Sequence, residues 1–212
     1  MPRDRLIAGA IFLLGALALA GVYFSTRPGP APVPAPAAQS GEDAPGPYLV
    51  IDVAGEANGT VTIDLLEKAA PGHVARVRAL AEAGEYDNVV FHRVIDGFMA
   101  QTGDVEFGMM GDDLSKAGQG GSAMPDLEAE FSDIPFGRGV VGMARAQSPN
   151  SANSQFFIMF APAPNLDGAY TVFGRVVEGM EVVDAIKRGT GSNGAVLGEP
   201  DRMSSVRITQ TR

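Results

Sequence analysis

The stretch FHRVIDGFMAQTG, residues 91–103, decides how this chain is read. It carries Arg93, then a turn signal at Asp96-Gly97, then Phe98, Met99 and Gln101. An Asp-Gly pair between apolar runs is a strong short-range hairpin signal. Folding back there brings Arg93 beside a strand expected to begin at Phe98. Side chains alternate along a strand, which sets Phe98, Ala100 and Thr102 on one face and Met99 and Gln101 on the other. A cation against an apolar wall is costly to hold unless it is paired or a ligand uses both. The stretch is therefore the candidate site.

On its N-terminal side, residues 48–53 read as a short apolar strand. Residues 59–65 alternate, with Val61, Ile63 and Leu65 on one face, as a hairpin partner would. Pro71 opens a helix, a position where its missing N–H costs nothing. Val74, Val77, Leu80 and Ala81 form the inner stripe of that helix and Gly84 stops it. Further strands are predicted over residues 89–94, 98–102, 140–144, 156–160, 171–177 and 203–209. A second helix is expected over 180–188, with Val182, Val183 and Ile186 inward. Many short antiparallel strands with few helices predict a mainly β fold closed into a barrel, which leaves no exposed edge.

The 212 residues are 45% hydrophobic and 19% charged, so a folded core is expected. A net charge of -9 argues against a nucleic-acid partner, which requires a basic surface. The absence of cysteine removes disulfides, thiol chemistry and Cys-based zinc sites. Two histidines, His73 and His92, are too few for a histidine-rich metal cluster.

Ahead of the folded part lie two segments of different character. Arg3 and Arg5 precede residues 6–24, which carry no charge. A run of that length just reaches across a bilayer core, which needs about 20 residues. It reads either as an uncleaved signal anchor or as a signal peptide cleaved near Ala16, Ala18 or Ala20; a buried soluble helix is the plainer alternative. The apolar run continues past those alanines through Val22, Tyr23 and Phe24, which favours the anchor. In either of the first two cases the arginines stay in the cytoplasm and the remainder is exported. Residues 27–47, RPGPAPVPAPAAQSGEDAPGP, form an extended semi-rigid spacer because proline fixes φ and lacks an N–H. The expected organisation is a membrane or signal segment (1–26), a Pro/Ala-rich linker (27–47) and one domain (48–212).

Several residues could carry chemistry. Arg93 sits among Phe91, Phe98 and Met99, although most arginines simply make surface salt bridges. Gln155, Phe156 and Phe157 add an amide and two aromatics on another strand, where both rings could equally be core. MARAQSPNSAN, residues 143–153, reads as a strand edge followed by a polar loop that could line a groove. His92, Ser154 and Asp104 invite a hydrolase reading, but no nucleophile-elbow glycines frame the serine. The glycines of 118–121 lack the Lys-Ser/Thr of a phosphate loop and read as a flexible loop near the site.

Taken together, FHRVIDGFMAQTGD (91–104), GVVGMARAQSPNSANSQFFI (139–158) and LDGAYTVFGRVVEGMEVVDAI (166–186) resemble a cyclophilin-type peptidyl-prolyl cis–trans isomerase. The resemblance spans residues 48–210 and implies an eight-stranded antiparallel barrel capped by two α-helices, with the site on its outer face. It implies Arg93 as the catalytic arginine, Phe98, Met99, Phe157 and Leu166 as walls of a proline pocket, and Gln101, Ala144, Arg145 and Gln155 as holders of the peptide backbone. His92 and Tyr170 are expected to join the substrate-binding residues, and Phe98 and Gln101 to join Arg93 in the catalytic set. Four departures from the family pattern show: Asp96 replaces a common proline, Arg145 an asparagine, Asn165 a pocket-rim tryptophan and Tyr170 a histidine. The last three leave the arginine and proline pocket intact, and bear on inhibitor binding more than on catalysis. What the resemblance implies is an isomerase that turns X-Pro bonds in exported proteins and assists folding. It would need no metal or cofactor, act as a monomer, and sit at the periplasmic face of the inner membrane, or free in the periplasm if cleaved. A catalytically silent proline-binding chaperone of the same fold is the alternative.

Overall fold

The structure, a computed structural model, describes residues 46–211. The expectations for residues 1–26, and for the linker up to residue 45, lie outside those residues.

Regular structure follows the alternation and stripes of the sequence. In chain order it comprises β1 (Tyr48–Ala54), β2 (Gly59–Leu65), α1 (Pro71–Glu82), β3 (Val89–Val90), β4 (Arg93–Ile95), β5 (Met99–Thr102), β6 (Val140–Met143), β7 (Phe156–Met159), β8 (Val172–Glu178), α2 (Met180–Ala185) and β9 (Arg202–Thr209). The strands form one antiparallel sheet in the order β3-β9-β1-β2-β8-β6-β7-β5-β4. In the β1–β2 ladder Leu49 pairs with Ile63 and Ile51 with Val61. All four side chains are buried in the main core, each burial stabilising by about 1.5–3 kcal/mol.

Two features of the expected barrel are corrected. The strand predicted over 89–94 breaks at Phe91 and His92, giving nine strands rather than eight. At the break the backbone bonds leave the sheet: Phe91 N–H donates to Asp201 O at 2.9 Å, and Val196 N–H donates to His92 O at 3.0 Å. β3 therefore pairs with β9 and β4 with β5. No ladder joins β3 to β4, and the sheet is an open half-barrel. Its β4 edge is not left bare, because Gly189 N–H donates to Val94 O at 2.9 Å and Ala195 bridges Arg93.

The hairpin at Asp96-Gly97 forms, with Ile95 opposite Met99. Phe98 N–H donates to Ile95 O at 3.0 Å, so Phe98 belongs to the turn and β5 starts one residue later than expected. Gly97 supplies the positive φ of 67° that this turn requires.

The sheet separates two apolar clusters. Ala100, Val141, Met143, Phe156 and Ile158 point into the main core with α1's Val74, Val77, Leu80 and Ala81. The alternate residues of the same strands, Met99, Val140, Phe157 and Met159, form a second cluster on the other face with Phe136 and Leu166. Strands β6 and β7 are thus buried on both faces, which is why they read as near-continuous apolar runs. Helix α2 ends at Ala185, short of the predicted 188, because Ile186 is extended and Lys187 N–H donates to Asp201 at 2.7 Å. Val183 and Ile186 are buried and Val182 only partly so.

Helix α1 lacks a local side-chain cap, and a carboxylate from far along the chain replaces it. Glu130 accepts from the Gly72 and His73 N–H groups at 3.0 Å each, and lies 2.6 Å from Nδ1 of the fully buried His73. Burial alone would raise the Glu130 carboxyl, but the bonds from His73 and the two N–H groups outweigh it and hold its pKa below the ordinary value. A depressed folded pKa contributes stability that is fully present above the unfolded value of about 4.3 and lost as pH falls through the folded one. Glu130→Gln is expected to cost about 1 kcal/mol at pH 7, the usual size of a lost helix cap. Thermal melts of variant and wild type should converge as pH drops below about 4. A stability gap that stayed constant to pH 3 would rule the ionised cap out.

Candidate active site

The antiparallel register places Arg93 on β4 directly opposite Gln101 on β5, and Gln101 opposite Phe157 on β7. Three strands thereby bring a cation, an amide and an aromatic ring side by side on the outer face. Arg93 Nη1–H donates to Gln101 Oε1 at 3.0 Å. Gln101 must then donate from Nε2, which it does to Gln155 Oε1 at 3.0 Å, and Gln155 Nε2 donates to Gly120 O at 2.8 Å. Each amide is used at both ends, so its orientation is fixed. On its other side Arg93 donates from Nε to Asn193 O at 2.9 Å and from Nη2 to Asn193 Oδ1 at 3.1 Å. Burial lowers the Arg93 pKa from its ordinary value, yet a guanidinium remains charged at any physiological pH.

The apolar wall beside this chain is the second cluster. Phe157 is 5% exposed; its ring is stacked on Phe136 with centroids 5.7 Å apart and meets Tyr170 edge-on at 5.8 Å. Gly142 lies under the pair, where a Cβ would come within 2.6 Å of Phe136 and 2.7 Å of Phe157. Met99 and Leu166 are buried in the same cluster, and Phe98 and Tyr170 pack against it partly exposed. Leu166 is presented by a 3-10 turn, Pro164–Leu166, whose middle residue Asn165 is exposed.

A groove of about 440 Å³ opens next to the cluster, lined by Gln101, residues 118–122, Ala144, Arg145, Ala146, Ser151, Asn153 and Gln155, with Glu106 and Asp126. The polar loop read from residues 143–153 thus forms one wall and the glycine run the other. That run is tied down: Asp104 accepts from Gly118 N–H at 2.7 Å and Gly120 N–H at 3.0 Å, as well as from Glu106 and Phe107. Arg145 is folded back, with its guanidinium 4.5 Å from the Tyr170 ring and Nη2 donating to Ala169 O at 2.9 Å.

His92 takes no part in the hydrogen-bonded chain. It is 9% exposed beneath Gly118, with Val90 and Gln155 beside its ring. Burial pushes its pKa down to about 4, against the pull of the nearby Asp104 carboxylate, so it is neutral at pH 7. Ser154 Oγ donates to Gly103 O at 2.7 Å inside the core, and Asp104 faces backbone N–H groups, which leaves no base–nucleophile pair. Sequence reasoning missed Asn193 and Phe136, and placed Gly120 only in a loop near the site, without its bond to Gln155. Residues 189–202 carried no reading from sequence, and nothing local to Asn193 points to Arg93.

Among the described residues a mainly β half-barrel with two helices carries a held arginine beside an apolar wall, with no base–nucleophile pair. Residues 48–211 match the family described as "Cyclophilin type peptidyl-prolyl cis-trans isomerase/CLD". A Brucella suis protein named "Probable peptidyl-prolyl cis-trans isomerase" is 54% identical over 153 residues, covering 71% of this chain and 78% of the relative. A "Peptidyl-prolyl cis-trans isomerase-like 1" of Aspergillus fumigatus is 41% identical over 129 residues, covering 59% of this chain and 74% of the relative. Among solved structures, a cyclophilin-type isomerase of Cryptosporidium parvum superposes with a TM-score of 0.67 at 25% identity, covering 78% of this chain and 99% of its own. A structure of it determined in the presence of the dipeptide Ala-Pro gives 0.65 at 25% identity, covering 77% and 99%. The chain belongs to the cyclophilin-type peptidyl-prolyl cis–trans isomerases. Its activity is the interconversion of cis and trans X-Pro bonds.

Proposed function

We propose that Arg93 drives this isomerisation at the prolyl nitrogen, on proline-containing chains outside the cytoplasm. The observation that carries the reading is the guanidinium clasped between Gln101 and Asn193 beside the Phe157 cluster. Rotation about a peptide bond has a barrier of roughly 18–20 kcal/mol because the nitrogen lone pair is shared with the carbonyl. In the twisted transition state that sharing is lost and the nitrogen becomes a hydrogen-bond acceptor. A fixed cationic donor stabilises the twisted state over either planar one. Phe98, Met99, Phe157 and Leu166 hold the proline ring while the acyl side turns. Gln101, Gln155 and the backbone at Ala144 and Arg145 grip the chain, with Tyr170 at the border and His92 as neutral filling behind Arg93. No bond breaks, so the chemistry calls for no nucleophile, metal or cofactor.

The setting outside the cytoplasm is supported by the uncharged residues 6–24 behind Arg3 and Arg5, and by the proline-rich spacer after them. Among the described residues no helix is long and apolar enough to cross a membrane. Mass spectrometry of the native N-terminus in separated membrane and periplasmic fractions tests this. Recovery of the intact chain in the cytosol would refute it.

Weak inhibition by cyclosporin is a further expectation. Asn165 is exposed on the rim turn, where the family resemblance sets a tryptophan that donates its indole N–H to the drug. Asparagine can donate, but it offers far less apolar surface. At about 25 cal/mol per Å² the loss amounts to a few kcal/mol, an affinity drop of about a hundredfold. Titration of wild type and Asn165→Trp in one peptide assay checks it. Tight inhibition of the wild type, or no gain in the variant, would refute the role given to the rim.

A further inference from the structure

The loop from 189 to 196 reaches the site from a part of the chain that sequence reasoning left out. Asn193 sits there in the left-handed region, at φ 55° and ψ 28°, a conformation asparagine tolerates better than most residues. It presents both its main-chain and its side-chain carbonyl oxygens to Arg93, at 2.9 and 3.1 Å. The loop is built to hold that pose. Gly191 N–H donates to Ala195 O at 2.9 Å, Gly194 N–H to Gly191 O at 3.2 Å, and Val196 N–H to His92 O at 3.0 Å. A Cβ on Gly194 would fall 2.3 Å from Ile95 Cγ1, and one on Gly189 would fall 1.9 Å from Gly194 O. The loop is therefore packed against β4 without slack.

A guanidinium has five N–H donors in one plane. One Nη1–H goes to Gln101, and Nη1 also lies 4.0 Å from Met99 Sδ, a weak acceptor. A planar group held only at Nη1 still pivots about that contact. The two bonds to Asn193 occupy the Nε–Nη2 side and remove the pivot, leaving one Nη2–H unengaged by the described residues. We propose that Asn193 is a positioning residue for isomerisation: it sets the plane of the Arg93 guanidinium so that the remaining N–H meets the prolyl nitrogen. This rests on the reading of Arg93 as the donor.

The test is a double-mutant cycle in the full chain, with kcat and KM measured on an Ala-Pro peptide for wild type, Asn193→Gly, Arg93→Ala and the double variant. Glycine keeps the backbone conformation and the main-chain acceptor and removes only Oδ1. Asn193→Gly is expected to lower kcat by about tenfold, less than the hundredfold a 1 Å misplacement can cause, with KM changed by less than about twofold. In the Arg93→Ala background the same substitution should change nothing beyond about twofold, because there is no guanidinium left to orient. Asn193→Asp, which keeps the acceptor, should recover most of the loss. Full activity of Asn193→Gly, or an equal loss in both backgrounds, would overturn the positioning role. Full activity of Arg93→Ala would instead remove the underlying reading of Arg93, and the proposal with it.

Discussion

Alanine at position 93 is expected to lower kcat/KM on an Ala-Pro peptide by about 10²–10³-fold, the size found for loss of one preorganised donor. Stability should change little. Arg93 is only partly buried, and its bonds to Asn193 lie at the surface, where water replaces a lost donor. Gln101 Oε1 loses its donor in a part-buried position, yet it borders the groove and stays within reach of solvent. A substitution of this kind costs about 0.5 kcal/mol or less in stability. The pairing of a large kinetic loss with an unchanged melt separates a catalytic arginine from a structural one. Activity close to wild type would remove Arg93 from the mechanism, and a melt lowered by several degrees would make it structural.

Substitution of Phe157 with alanine should instead damage both properties. Its ring is 5% exposed between Phe136 and Tyr170, over a glycine that leaves no spare room. A cavity at such a position costs about 3–5 kcal/mol. For a domain of this size each kcal/mol shifts the melt by about 2–4 °C, so a fall of about 6–20 °C is expected. Under the proposed role the proline ring loses a wall in the same step, and KM should rise as well. Calorimetry together with peptide kinetics checks both arms. A variant that melted like wild type would mean that the second cluster collapses around the gap and that Phe157 serves only the ligand.

These two residues also mark how far the sequence could be read. Alternation over 59–65 and the stripe in α1 reported the main core, because burial on one face imposes a period. Arg93 and Gln101 were legible as neighbours because the Asp96-Gly97 hairpin pairs their strands, whereas Phe157, on a strand that is not consecutive with them, joined the site only through the family resemblance. The break at Phe91 and His92 was not legible. It is made by bonds to Asp201 and Val196, more than a hundred residues away, and Phe91 itself has the side chain of a strand residue. Asn193 and Glu130 were missed for the same reason. Each acts through one long-range contact, and a single asparagine or glutamate in a loop has no pattern that names its partner.

The order of the sheet has a consequence in time. β9 lies between β1 and β3, and the loop that clasps Arg93 lies 100 positions beyond it. A chain growing from its N-terminus therefore holds β1 and β3 for most of its synthesis without the strand that belongs between them. Closing loops of that length comes before the contacts that reward it, and topologies of this type fold in milliseconds to seconds rather than microseconds. The arginine proposed to act at the prolyl nitrogen is locked into place only when residues near the end of its own domain arrive.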